Sequence, residues 1–159
     1  CLTNKELEIK NLKLESDIKK IKWEGRLQKV SGTLSKKYNG LDIWVDAAHN
    51  VLGFRALKSW IINSNIINPV FIIGLGIKKD YLGIIKEIKK TNPAQVYFLS
   101  ELNFHSHKAE KLKNFARKLE IESYVGKSVG DVLNSLKDKE QLIVITGSIG
   151  LIGQFLNHK

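Results

Sequence analysis

This sequence predicts an α/β fold: a Rossmann-like, mostly parallel sheet with helices on both faces, preceded by a linker and a short β-hairpin. Three observations carry the prediction of the sheet. Apolar runs of strand length, such as Val70-Phe71-Ile72-Ile73 and Leu142-Ile143-Val144-Ile145, are unbroken rather than alternating, as in strands buried on both faces. Amphipathic stretches at helical spacing separate these runs. Capping residues such as Asp80, Ser128 and Ser148 stand where those stretches begin. Strands alternating with helices in this way imply parallel crossovers.

Residues 1–21 fit neither period, because Leu7, Ile9, Leu12 and Leu14 drift between helical and strand spacing. They read as the tail of a preceding, absent domain plus a linker, and residues 22–159 as one domain. Arg26 to Val30 and Leu34 to Tyr38 flank Ser31-Gly32-Thr33 and predict the hairpin. Ile43-Trp44-Val45 is the first core strand, followed by a helix from Val51 to Asn63. The run from Pro69 to Gly74 is the second strand; Asp80 then caps a helix through Ile84, Ile85 and Ile88. Gln95 to Leu99 is the third, and Ser106 is expected to start the helix carrying Ala109, Leu112, Phe115, Ala116 and Leu119. Glu122 to Val125 is a short fourth strand. Ser128 and Asp131 resemble a capping box opening a helix to Leu136. Gln141 to Gly147 is the clearest strand, and Ser148 caps a last helix through Leu151, Ile152, Phe155 and Leu156.

Length and composition narrow the function classes. With 159 residues and 43% hydrophobic content, the chain suits one well-packed domain. No apolar run reaches the roughly 18 residues of a bilayer span, and the first residues lack a secretory pattern. The chain begins at Cys1 and contains no Met, which suggests a piece of a longer protein. A single Cys allows no internal disulfide, which fits a reducing cytoplasm. The net charge of +10 points toward a polyanionic partner. Its lysines, however, are spread over helix surfaces, and the aromatics fall in apolar stretches. Solvated faces are therefore expected rather than a nucleic-acid site, and the acidic partner could be ATP.

Polar residues at a strand's carboxyl end are well placed for a ligand in an open α/β sheet. Asp46 can accept from ribose hydroxyls or an adenine amine, and His49 can donate to phosphate or contact the base. The structural alternative stays open: Asp46 would satisfy a turn and Asn50 would cap the next helix. Gly74-Leu75-Gly76 follows a strand, but Lys79 replaces the third Gly of a dinucleotide fingerprint. His105 and His107 lack partners at metal spacing, Cys1 has no local His, and no P-loop sequence occurs. No metal site is expected in this chain.

Four motifs in order resemble the carboxy-terminal domain of the folylpolyglutamate synthase and dihydrofolate synthase family, ATP-dependent ligases related to the peptidoglycan peptide ligases. Trp23-Glu24-Gly25-Arg26-Leu27-Gln28 resembles the family's Trp-Pro-Gly-Arg-Leu-Gln hinge, with Glu24 for Pro. Asp46-Ala47-Ala48-His49-Asn50-Val51 resembles Asp-Gly-Ala-His-Asn-Pro. Gly74 to Asp80 resembles a loop ending in Asp-Lys-Asp, and Gly147-Ser148-Ile149 resembles the Gly-Ser-Leu opening the last helix. Gly150 stands where many relatives carry Tyr, and Ser31 to Leu41 separates the first two motifs more widely than in shorter members.

The resemblance implies a parent enzyme using ATP and Mg²⁺ to join glutamate to dihydropteroate or a folate through an acyl phosphate. It implies ATP contacts from Arg26, Asp46, His49 and Asn50, and a glutamate contact from Ser148. Arg26 is expected to be largely exposed, without a buried carboxylate of its own domain as partner. The P-loop, the metal ligands and the catalytic residues would lie in the absent amino-terminal ATPase domain. This chain alone would then be inactive and bind no cofactor tightly. A cytoplasmic monomer, with no membrane or nucleic-acid partner, is expected. The alternatives are a non-catalytic remnant of a split ligase gene, the carboxy-terminal domain of a peptidoglycan peptide ligase, and a basic RNA-binding module.

Overall fold

The computed structural model describes residues 26–136 and 141–157. Expectations for residues 1–21, for Cys1 and for Trp23 to Gly25 of the hinge lie outside the described residues. The chain runs β1 (Gln28–Lys29), α1 (Gly32–Lys37), β2 (Ile43–Asp46), α2 (Val51–Asn63), β3 (Val70–Ile73) and α3 (Tyr81–Lys89). It continues through β4 (Gln95–Leu99), α4 (Ala109–Lys118), β5 (Ser123–Gly126), α5 (Val129–Ser135), β6 (Ile143–Thr146) and α6 (Ile149–Asn157).

These strands form one six-stranded sheet in the order β1-β2-β6-β3-β4-β5, parallel except for β1. Successive residues of each strand serve opposite faces. Phe71, Ile73, Val96, Phe98 and Val144 pack with α2, α3 and α4, through Phe54, Leu57, Ile84, Ile88 and Leu112. Val70, Ile72, Ile43, Val45, Ile143 and Ile145 pack with α1, α5 and α6, through Tyr38, Val132, Leu151, Ile152 and Phe155.

A uniform crossover hand explains the strand order. From β2 to β5 the chain steps in one direction across the sheet, with α2, α3 and α4 all on the first face. The return to β6 carries α5 on the other face, which a right-handed crossover requires when the direction reverses. Strand β6 thereby falls between β2 and β3. Their loops then leave toward opposite faces: α2 and α3 on one side, α6 on the other.

Two expectations are corrected. Residues 34–37 are helical, not the second arm of a hairpin. Strand β1 pairs instead with β2, and the Val30 N–H donates to the Ile43 carbonyl at 2.8 Å. Leu34 and Tyr38, four apart, both turn toward the second core. Helix α4 starts at Ala109, not near Ser106. Ser106 bridges Gly76, and the His107 N–H donates to the Leu75 carbonyl at 3.0 Å, so this backbone is committed to pairing. The expected caps hold at Asn50, Asp80 and Ser128, whose side chains accept from Gly53, Gly83 and Asp131 N–H groups. Val51 opens α2 where the family motif has Pro, at the position where a missing N–H costs nothing and Val serves as well.

The excess positive charge is partly engaged inside the helical layer. Glu87 on α3 has a side chain only 5% exposed and meets Lys90 at 2.8 Å, Lys58 at 3.1 Å and Arg55 at 3.5 Å. The Lys90 hydrogen bond, aided by Lys58 and opposed by burial, lowers its pKa to about 2. A depressed carboxyl contributes stability above its ordinary pKa of 4.5 and loses it as pH falls toward 2. Glu87→Gln is expected to cost about 1–2 kcal/mol at pH 7 and to flatten this acid limb. Urea midpoints measured across the pH range check it; parallel profiles for the two proteins would show that Glu87 is uncoupled from folding.

Candidate functional site

The carboxyl ends of β2, β6 and β3 are stitched together. The Thr146 hydroxyl and the Gly147 N–H both donate to the Ala48 carbonyl, at 3.3 and 2.9 Å, and the Gly74 N–H donates to the Thr146 carbonyl at 3.2 Å. Gly147 has φ +106°, and a Cβ there would lie 2.6 Å from the Gly74 oxygen. Only glycine lets the two loops pass so closely. This closure fixes the turn after β2, where a cavity of about 420 Å³ opens. Arg26, Asp46, His49 and Asn50 all line it, with Leu27 and Leu52 as apolar walls.

Asp46 is 8% exposed and holds the floor of the cleft together. One carboxylate oxygen accepts from the Leu27 N–H at 3.0 Å, the other from the Ala48 N–H at 2.9 Å. It therefore ties the segment carrying Arg26 to the end of β2. Burial raises its pKa above the ordinary carboxylate value, outweighing the Ala48 and Leu27 N–H groups and the Arg26 charge, which pull it down. Each oxygen keeps a further lone pair for a ligand donor. Arg26 is exposed as expected. Its charge acts on buried Asp46 across the floor of the same cleft.

His49 Nδ1 lies 2.8 Å from the Ala47 carbonyl. A carbonyl can only accept, so Nδ1 carries the proton and the neutral ring presents Nε2 as an acceptor. That suits an exocyclic amine; donation to phosphate would need the charged ring. Asn50 Oδ1 accepts from the Gly53 N–H at 2.8 Å. The amide nitrogen of Asn50 remains for a ligand, so capping and binding are compatible. Ser148 does not line the cleft. Its hydroxyl accepts from the Gly150 N–H at 3.2 Å at the head of α6.

Sequence reasoning did not single out Leu27 or Leu52 as walls of the cleft. Leu52 is 72% exposed on the first turn of α2, two residues after the Asn50 cap, and no local signal in the sequence turned it outward. Leu27 has φ +44°, unusual for a non-glycine residue. Among the described residues, no group of three His, Cys, Asp or Glu side chains could hold a metal ion. His107 instead joins two loops, its Nε2–H donating to the Lys79 carbonyl at 2.9 Å. No helix among the described residues is long and apolar enough to cross a membrane.

An open parallel sheet with adjacent connections leaving to opposite faces is a ligand-binding α/β architecture, its crevice lying at that switch point. The cleft beside Asp46 lies at the carboxyl end of β2, next to this switch point, walled by the segment that leads into β1 and by the first turns of α2. No protein-family model matches the sequence, and no curated protein matches it. The structural likeness is to folate ligases. A Mycobacterium tuberculosis folylpolyglutamate synthase complexed with ADP and AMPPCP aligns with TM-score 0.68 and 22% identity, over 84% of this chain and 31% of that one. The bifunctional folylpolyglutamate synthase/dihydrofolate synthase of Yersinia pestis gives 0.69 and 15%, over 98% and 34%. E. coli FolC in complex with ADP, without folate substrate, gives 0.66 and 20%, over 84% and 30%. The chain shares their fold and spans about a third of their length.

Proposed function

We propose that this chain is the carboxy-terminal domain of an ATP-dependent amide ligase adding glutamate to dihydropteroate or a folate. The observation that carries this reading is the cleft at the end of β2. All four residues expected from the motifs to meet ATP line that one cavity. The ADP complexes described for proteins of this fold support a nucleotide as the occupant.

In the proposed reaction a carboxylate oxygen of the pteroate or folate attacks the γ-phosphorus and ADP leaves. The glutamate amine then attacks the acyl carbon, and phosphate departs with the bonding electrons. Such catalysis rests on positioning and charge neutralisation. The Arg26 guanidinium suits phosphate oxygens through paired donors. The free lone pairs of Asp46 suit ribose hydroxyls, while His49 Nε2 and the Asn50 amide suit the base edge, with Leu27 and Leu52 against its faces. The head of α6 at Ser148 offers N–H groups and a positive dipole end to the carboxylate of glutamate. Mg²⁺ would neutralise phosphate charge; its donors are not found among the described residues, and no step here is routed through it. The P-loop domain would close on this one about the hinge near residues 23–28, in a cytoplasmic monomer.

Alone, the chain is expected to release no ADP from Mg–ATP in the presence of dihydropteroate and glutamate. Joined to its P-loop domain it is expected to transfer labelled glutamate. Arg26→Lys should then lower kcat/KM about tenfold or more, because a point charge does not reproduce the fork. Turnover by the isolated chain, or full activity of the Lys variant, would refute the assignment.

A further inference from the structure

A second cavity, of about 240 Å³, lies on the opposite face of the sheet. It sits between the end of α1, the start of α5 and one side of α6, over the end of β4. Its floor is apolar, made by Leu99, Val129, Leu151 and Phe155. Tyr38 forms a wall, its ring 6.2 Å from that of Phe155. Lys37, Glu101 and Gln154 stand around it.

Tyr38 is only 7% exposed, yet among the described residues no hydrogen bond reaches its hydroxyl. That hydroxyl stands over Gly130, 3.4 Å from where a Cβ would be, so the glycine leaves room at the wall. Burial, and secondarily the Asp131 charge, raise the Tyr38 pKa, so the phenol stays protonated and able to donate. The hydroxyl oxygen itself is open to the cavity, since among the described residues only His107 Nδ1 is a fully buried side-chain polar atom without a partner, so it is placed to donate to a molecule seated there. The cavity thus combines an apolar floor, a hydroxyl donor and charges of both signs.

We propose that this cavity is a binding site for a small zwitterion with an apolar side chain, a free amino acid of the leucine or phenylalanine type. The ligand carboxylate would accept from the Tyr38 hydroxyl and pair with Lys37. Its ammonium group would face Glu101, and its side chain would lie on Leu99, Val129 and Phe155. The volume is below the range of about 300–1,000 Å³ usual for drug-sized ligands, which favours a molecule of this size. Glu101 already meets Lys127 at 3.8 Å through Oε1, which leaves Oε2 to face the ligand ammonium, and a purely cationic ligand would leave Lys37 opposed. The site is independent of the cleft at β2 and of the ligase reading.

The test is a titration of the isotope-labelled chain with L-leucine and L-phenylalanine, followed by amide NMR. The expected result is saturable shifts at Leu99, Gly130 and Phe155, with the β2 cleft undisturbed. Tyr38→Phe, which keeps the ring packing, should weaken binding about tenfold, the loss of one hydrogen bond to a charged group. Isocaproate, lacking the ammonium, and leucinamide, lacking the carboxylate, should both bind more weakly than leucine. No shifts at these amides up to millimolar amino acid would overturn the site. Equal affinity for Tyr38→Phe, or for isocaproate and leucine, would overturn the zwitterion assignment.

Discussion

Gly147→Ala is expected to destabilise the domain by about 3 kcal/mol or more. The residue adopts φ +106°, where an L side chain is strained, and the new Cβ would meet the Gly74 carbonyl oxygen at 2.6 Å. That contact is backbone, so no side chain can rotate away. Relief requires the ends of β6 and β3 to part, which breaks the bond from the Gly74 N–H to the Thr146 carbonyl. Strain of this kind costs about 1–3 kcal/mol, and the clash adds to it. Gly153→Ala provides the control. It lies inside α6 with nothing within 4 Å of the added Cβ, so it should stabilise by about 0.5–1 kcal/mol. Thermal melting of both variants checks the contrast; equal melting points would remove Gly147 from its role in closing the cleft.

The second large effect is expected at Asp46. Asp46→Ala removes the acceptor for two backbone N–H groups, those of Leu27 and Ala48. The Ala48 donor is then left in a buried position, and the cost is about 2–3 kcal/mol. The sign of the pH dependence follows from the raised pKa. The folded state favours the neutral acid relative to the unfolded chain. That contribution is present below the unfolded pKa and is lost as pH rises through the folded one. Asp46→Asn, always neutral and retaining one acceptor, should therefore cost less than Asp46→Ala. Both should free the Leu27 segment, visible as faster hydrogen exchange at Leu27 and Ala48. Unchanged exchange would show that Asp46 does not tie this segment down.

The sheet was legible because its strands are unbroken apolar runs and its caps are chemically distinct. Val70 to Ile73 and Ile143 to Thr146 could hardly be anything other than strands buried on both faces. The segment around α1 was not legible in the same way. A six-residue helix carries one turn and a half of pattern, and Ser31-Gly32-Thr33 imitates a hairpin turn. Only the pairing of β1 with β2 rules out a hairpin there. Ser106 misled for a related reason: it is a good cap by type, but the Gly76 bridge claims its backbone.

The candidate site was legible as motifs and illegible as geometry. Asp46, His49 and Asn50 stood out as polar residues at a strand end, and Arg26 by its place after Gly25. That Asp46 spends both oxygens on backbone donors, and so positions Arg26 as well as facing the cleft, depends on contacts 19 residues apart. The walls formed by Leu27 and Leu52 likewise emerge only when β1 is laid beside β2. Local sequence carries no record of that approach.

The central claim is that the cleft beside Asp46 receives a nucleotide. The most direct measurement is an amide NMR titration of the isotope-labelled chain with Mg–ADP to millimolar concentration. Saturable shifts grouped at Leu27, at Asp46 to Asn50 and at Gly53, weakened by Arg26→Ala, are the predicted result. Absence of shifts at those amides, or shifts centred instead on the cavity beside Tyr38, would contradict it.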